Sequence, residues 1–310
     1  MKLSVVTTMY QAAPHVEEFY DRMSAAARKI TDAYEIILVN DGSPDDALAL
    51  AVAIHERDPR VKVIDLSRNF GHHKAAMTGL SHAKGDLVFL IDVDLEEEPE
   101  LLNVFYEVYQ KGDADVVYGV QDKRKGGVWE RLSGALYWRI YSALSSCKIP
   151  ANLLMARLMS RRYVKGLVAH RESEVDISGL WQITGFKQVP VKVHKHSLAG
   201  STYTLKRKLE LMVRSITGFS NRPLILIAAL GVLILTLATV CSLYFLGVRI
   251  FIGKAPSGYM SLILSIWFLG GLIIFSLGVV ALYLAVIFAE TKNRPYTIIR
   301  DIYERDEHET

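Results

Sequence analysis

The sequence predicts an α/β domain built on a mostly parallel sheet, followed by two membrane-spanning helices. Three observations predict it. Short apolar runs alternate with amphipathic helical stretches from the start of the chain to Gly119, the pattern of a parallel sheet with helices on both faces. One of those runs ends in Asp92-Val93-Asp94, and ligands of such sheets sit at the carboxyl ends of the strands. Two stretches without a single charge, residues 224–248 and 259–289, come near the C-terminus.

The elements follow in order. Leu3–Thr7 is a β run. His15–Lys29 is helical, with Val16, Phe19, Tyr20 and Met23 recurring on one face. Glu35–Val39 is a second buried strand. It ends at Asn40-Asp41-Gly42-Ser43-Pro44, which is good turn chemistry. Asp45–Glu56 is helical, Val61–Leu66 a third strand, and His73–His82 helical again. Leu87–Ile91 is a fourth strand running into Asp92, Pro99–Gln110 a helix, and Val116–Gly119 a fifth strand.

Each uncharged stretch exceeds the roughly 20 apolar residues that cross a hydrocarbon core. Lys206, Arg207, Lys208, Arg214 and Arg222 precede the first; Lys292, Arg294 and Arg300 follow the second; only Arg249 and Lys254 lie between. The positive-inside bias places both termini in the cytoplasm. Leu205–Phe219 carries apolar residues at helical spacing beside its basic ones and reads as an amphipathic interfacial helix. Ile298, Ile299, Ile302 and Tyr303 suggest a shorter second one. The expected organisation is a cytosolic domain over 1–203, an interfacial helix over 204–222, two spans over 223–289 and an interfacial tail over 290–310.

Composition sets further bounds. A formal charge of +3 over 310 residues excludes a nucleic-acid partner as the expectation. Two cysteines make neither a metal spacing nor a disulfide framework. The N-terminus runs straight into a strand, so no removable signal peptide is expected. Gly270, Gly271 and Gly278 would permit close helix packing, leaving a homo-oligomer open.

Asp92, Asp94 and Glu96 present carboxylates after a buried strand, the donor type that Mg²⁺ or Mn²⁺ takes together with substrate phosphates. An Asp at a strand end, such as Asp41, accepts from a nucleobase or a ribose, or simply makes a turn. The Arg68–Lys74 segment opens a helix and offers backbone N–H groups to an anion. Arg124, Arg131, Arg157, Arg161 and Arg162 supply guanidinium forks suited to phosphate oxygens.

Taken in order, these motifs resemble glycosyltransferase family 2 with its GT-A fold, and within it the polyprenyl-phosphate glycosyltransferases. The segments that carry the resemblance are Asn40–Pro44, Arg68–His72, Asp92–Glu96 with Pro99-Glu100, Val117–Val120, Arg157–Arg162 and the two spans. The resemblance implies a metal and nucleotide-sugar site at Asp92, Asp94 and Glu96, with Asp41 and Tyr10 as nucleotide contacts. It implies Asp94, Arg124, Arg131 and Arg157 as the catalytic set, the arginines holding the acceptor phosphate and donor diphosphate. The implied reaction moves a hexose, UDP-glucose being the favoured donor, to undecaprenyl phosphate with inversion. Other readings are a transferase for another acceptor class or a nucleotide-sugar-binding scaffold. The chain departs from the family's pattern at Gln11, at Gln121 where Arg is common, and at Met155, where an acidic residue usually stands two before Arg157.

Overall fold

The computed structural model describes residues 1–112, 114–121, 144, 153–172, 175–193, 213, 216–218, 220–252 and 258–305. They fall into two compact units. The first comprises residues 1–130, 149–203 and 293–310; the second, 131–148 and 204–292.

In the first unit the predicted alternation appears almost residue for residue. β1 (Leu3–Met9), α1 (Val16–Arg28), β2 (Tyr34–Asn40), α2 (Ala47–Arg57), β3 (Val61–Leu66), α3 (His72–His82), β4 (Leu87–Leu90), α4 (Leu101–Gln110) and β5 (Val116–Gln121) follow one another. β1 to β4 are buried along their whole length, which is why they read as continuous apolar runs rather than alternating ones. Then come β6 (Leu153–Ser160), α5 (Arg161–Val168), α6 (Ile177–Ile183) and β7 (Gln188–Val193), none of which the sequence reading marked.

With β8 (Ile299–Tyr303) from the end of the chain, the strands form one sheet in the order β7-β5-β6-β4-β1-β2-β3-β8. β1 pairs in parallel with β2 and β4, β2 with β3, and β5 with β7. β6 runs antiparallel to β4 and β5. The sheet is therefore mixed with a parallel majority. Phe19, Met23, Phe89 and Phe105 pack into the core on one face, with Phe89 and Phe105 edge to face at 6.1 Å.

The tail corrects one expectation. Residues 299–303 do not form a short interfacial helix; β8 (Ile299–Tyr303) pairs antiparallel with β3 at the sheet edge. Lys62 and Lys84 both reach Glu304, at 2.5 and 2.9 Å. Arg300 meets the buried Asp65 at 3.2 Å. The Ile-rich spacing that looks helical instead supplies a strand to an open edge, and those ion pairs select it.

In the second unit, α7 (Arg222–Ile252) and α8 (Tyr259–Thr291) contain the two uncharged stretches. Both are long and apolar enough to cross a membrane, and neither span is buried within the protein. At 33 residues α8 is about 50 Å long. The Tyr283 hydroxyl donates to the Ser220 carbonyl at 2.6 Å. Of the interfacial helix expected over 204–222, residues 213, 216–218 and 220–222 are described; 213 and 216–218 are helical, Ser220 and Asn221 are not, and Arg222 begins α7.

Candidate active site

The parallel strands β1, β2 and β4 end on the same side of the sheet, and a cleft of about 280 Å³ opens there. Thr8, Tyr10, Asp41, Asn69, His72, Asp92, Val93 and Asp94 line it. Each follows from local geometry. β1 delivers Thr8 and, just past its end, the exposed Tyr10. β2 delivers Asp41. β4 delivers Asp92 and Asp94 on a turn that requires a positive φ of 59° at Leu95. The Glu96 N–H donates to Asp94 Oδ1 at 3.0 Å, fixing that carboxylate in the turn.

Asp41 is almost wholly buried, and its two oxygens accept the backbone N–H groups of Phe70 and Gly71 at 2.7 and 3.0 Å. Burial pushes its carboxyl above the ordinary aspartate value; the two N–H bonds and the charges of His72 and Arg68 oppose that shift. Gly42 has a φ of +61°, and a Cβ there would meet the backbone of Arg68 and Asn69 at 2.5 Å. The Asn40–Pro44 turn and the Arg68–Gly71 loop are thus locked back to back. Ser43 extends the lock to the first loop, accepting from the Gln11 N–H at 2.7 Å.

His72 joins the cleft at the start of α3. Its Nδ1 lies 2.8 Å from the Thr8 hydroxyl and its Nε2 lies 3.3 Å from Asp92 Oδ1. Desolvation by the surrounding protein lowers its pKa, against the pull of Asp41 and Asp94. The side chain is 41% exposed because it lines an open cleft. Sequence reasoning missed His72 as a site residue. Its one available signal was its place in Arg68–Lys74, directly after a strand whose neighbours end in Asp41 and Asp92.

The other expected residues divide. Asp92, Asp94, Tyr10 and Asp41 are brought together. Glu96 is not among the residues lining the cleft, and its backbone serves Asp94 instead. Arg124 and Arg131 lie outside the described residues. Arg157 does not reach the cleft lining. It is buried on β6, its guanidinium stacked 3.0 Å from the centre of the Trp181 ring and 5.8 Å from that of Tyr118. Burial pushes its pKa down to about 9, against the pull of Tyr163, Tyr118 and Glu97. Its Nε and Nη1 have no hydrogen-bond partner among the described residues. Arg161 donates to the Ala83 carbonyl and Arg162 pairs with Asp115. The buried Glu97 accepts the N–H groups of Met155 and Ala156 at 3.2 and 2.7 Å, tying the Asp92–Glu97 turn to β6.

Two carboxylates suit a hard divalent cation that draws its other ligands from phosphate oxygens and water. No cluster of three ligating side chains occurs among the described residues, so a cation here depends on a phosphate-bearing ligand for the rest of its shell.

Comparison with known proteins agrees with this architecture. The family described as Glycosyl transferase family 2 matches residues 4–167. A Mycobacterium tuberculosis protein described as putative glycosyltransferases is 51% identical over 99% of this chain and 90% of its own length. The Escherichia coli prophage bactoprenol glucosyl transferase homolog is 31% identical over 97% of this chain and 99% of its own. The bactoprenol glucosyl transferase of Shigella phage SfII is 30% identical over 97% and 98%.

Proposed function

The chain belongs to glycosyl transferase family 2, and from that premise we propose that it transfers a hexose from a nucleoside-diphosphate sugar to a polyprenyl phosphate at the cytoplasmic face of a membrane. UDP-glucose is the favoured donor. The observation that carries this reading is the end-to-end match to bactoprenol glucosyl transferases, which extends through the two apolar helices as well as the cleft.

The chemistry asks little of a base. A phosphate monoester has a second pKa of about 6 and is largely ionised at neutral pH, so the acceptor arrives as a nucleophile. Its oxygen attacks the anomeric carbon from the face opposite the diphosphate, the bond to the diphosphate breaks, and the configuration inverts. Asp92 and Asp94 would hold Mg²⁺ or Mn²⁺ against the donor. The cation supplies charge neutralisation at the leaving diphosphate. Asp41 keeps the Arg68–Gly71 loop in place beneath the nucleotide, and Tyr10 offers an aromatic face at the cleft mouth. Holding both reactants in line is the protein's main contribution. The apolar helices keep the domain at the surface where the lipid phosphate emerges, with both termini cytoplasmic.

The test is incubation of detergent-solubilised protein with Mn²⁺ or Mg²⁺, undecaprenyl phosphate and labelled UDP- and GDP-sugars, scoring label that enters the organic phase. Metal-dependent transfer from UDP-glucose is expected. Nucleotide binding without transfer to the lipid from any donor refutes the acceptor assignment. Orientation has its own readout. A cysteine placed at Ser257 in a Cys147→Ser/Cys241→Ser background reacts with an impermeant maleimide from outside the cell, whereas one at Thr310 does not.

A further inference from the structure

The reading above leaves His72 and Thr8 without a role, although both line the cleft. They come from different elements. Thr8 lies on β1, His72 opens α3, and Asp92 follows β4, the neighbour of β1 in the sheet. The contacts run in series, Thr8 Oγ1 to Nδ1 at 2.8 Å and Nε2 to Asp92 Oδ1 at 3.3 Å. Nε2 is therefore the ring nitrogen that faces the Asp92 carboxylate, at ion-pair distance. A hydroxyl donates or accepts, so Thr8 satisfies Nδ1 in either form of the ring. The imidazole is therefore hydrogen-bonded at Nδ1 by Thr8, and its other nitrogen bears on a carboxylate at the centre of the site.

We propose that His72, braced by Thr8, is a positioning residue that fixes the Asp92 carboxylate in the orientation needed to hold a divalent cation against the donor diphosphate. The proposal rests on the metal and nucleotide reading of the cleft. Side chains that orient a ligating group matter almost as much as the ligand, their loss costing roughly 10- to 100-fold in metal affinity or activity.

The experiment measures Mn²⁺ binding by electron paramagnetic resonance in the presence of UDP, using the full-length protein in detergent. Wild type is compared with His72→Leu, His72→Gln, Thr8→Val and the Thr8→Val/His72→Leu double variant. His72→Leu is expected to weaken Mn²⁺ binding about 10-fold. His72→Gln, whose amide N–H reaches the place of Nε2, should recover most of that loss. Thr8→Val should fall between wild type and His72→Leu. The double variant should be no worse than His72→Leu, because Thr8 acts through the ring and the two effects do not add. Wild-type affinity in His72→Leu overturns the proposal, as does a His72→Gln variant as weak as His72→Leu or a strictly additive double variant. Should His72→Leu fail to fold, the other single variants decide: wild-type affinity in Thr8→Val, or no measurable binding in His72→Gln, overturns it. Failure of the wild type itself to bind Mn²⁺ with UDP overturns the metal reading and this proposal together, an outcome distinct from all the others.

Discussion

The carboxylates that line the cleft and the arginines expected to hold the acceptor phosphate and donor diphosphate are built in opposite ways. Asp41, Asp92 and Asp94 sit just past the ends of parallel strands and reach the cleft with their orientation set by nearby groups, Phe70, Gly71, Glu96 and His72. Arg157 is buried against Trp181, Arg161 donates to the Ala83 carbonyl and the exposed Arg162 pairs with Asp115, and none of the three is among the residues lining the cleft. A carboxylate after a short strand has little freedom about where it goes. An arginine has a long stem and many partners, so its presence in a phosphate-binding pattern says little about its destination. The comparison teaches that strand-end position is a stronger guide to a site than residue chemistry.

The largest expected effect breaks the comparison on the donor side. Asp94→Ala should lower transfer by about 10²- to 10³-fold, the scale of losing a preorganised electrostatic stabiliser, with an unchanged far-ultraviolet dichroism spectrum. Activity within a few-fold of wild type would remove Asp94 from the site. The next variant tests the other side. Arg157→Met puts an apolar side chain of similar length in place of a buried guanidinium whose Nε and Nη1 make no hydrogen bond among the described residues. The Km for lipid phosphate should stay within about 3-fold of wild type, far from the roughly 10-fold that loss of a charged contact of about 1.5 kcal/mol or more gives. A 10-fold rise with unaltered thermal stability would return Arg157 to the acceptor site.

How much was legible follows the same division. β1 to β5 were readable because buried parallel strands are unbroken apolar runs bounded by turns. β6 was not, since its centre carries Arg157, and a charged residue reads as surface until Trp181 and Tyr118 are seen around it. β7 has Pro190 in its middle, which a lone sequence reads as a break; it is an edge strand, where proline is tolerated. Asp92 and Asp94 were legible from their strand. The structural use of Asp41 was not, because its partners are backbone N–H groups of a loop about 30 residues away. The same holds for His72, whose meaning depends on Thr8 and Asp92, both distant in sequence.

A smaller effect is expected at the back of the donor loops. Gly42→Ala would set a methyl group 2.5 Å from the backbone of Arg68 and Asn69, at a φ of +61°. The loop must shift, and Asp41 shifts with it. Nucleotide affinity by calorimetry should fall several-fold, while the midpoint of thermal unfolding drops by only a few degrees, as expected for about 1 kcal/mol in a domain of this size. Unchanged nucleotide affinity would show that the two loops are not coupled to the cleft.

The smallest effect belongs to the sheet edge farthest from the arginines, where β8 closes the sheet. Burial alone would raise the Glu304 carboxyl, but Lys62 and Lys84 beside it hold it down at about 2. A carboxylate with a depressed pKa stabilises the fold above its ordinary value and loses that contribution as pH falls toward the depressed one. The tail contacts should therefore be intact at pH 6 and weaken progressively from about pH 4.5 downward. Glu304 is a third exposed, so solvent screening keeps the contribution small. Wild type should melt a degree or two above Glu304→Gln at pH 6, with the gap narrowing at pH 3.5. The arrangement also reaches toward the cleft: Arg300 holds one oxygen of Asp65, whose other oxygen accepts from the Asn40 side chain at 2.7 Å, one residue before Asp41. If that chain of contacts matters, Arg300→Ala weakens nucleotide binding slightly more than Glu304→Gln does, although both lie at the same edge. Equal and negligible effects would confine β8 to closing the sheet.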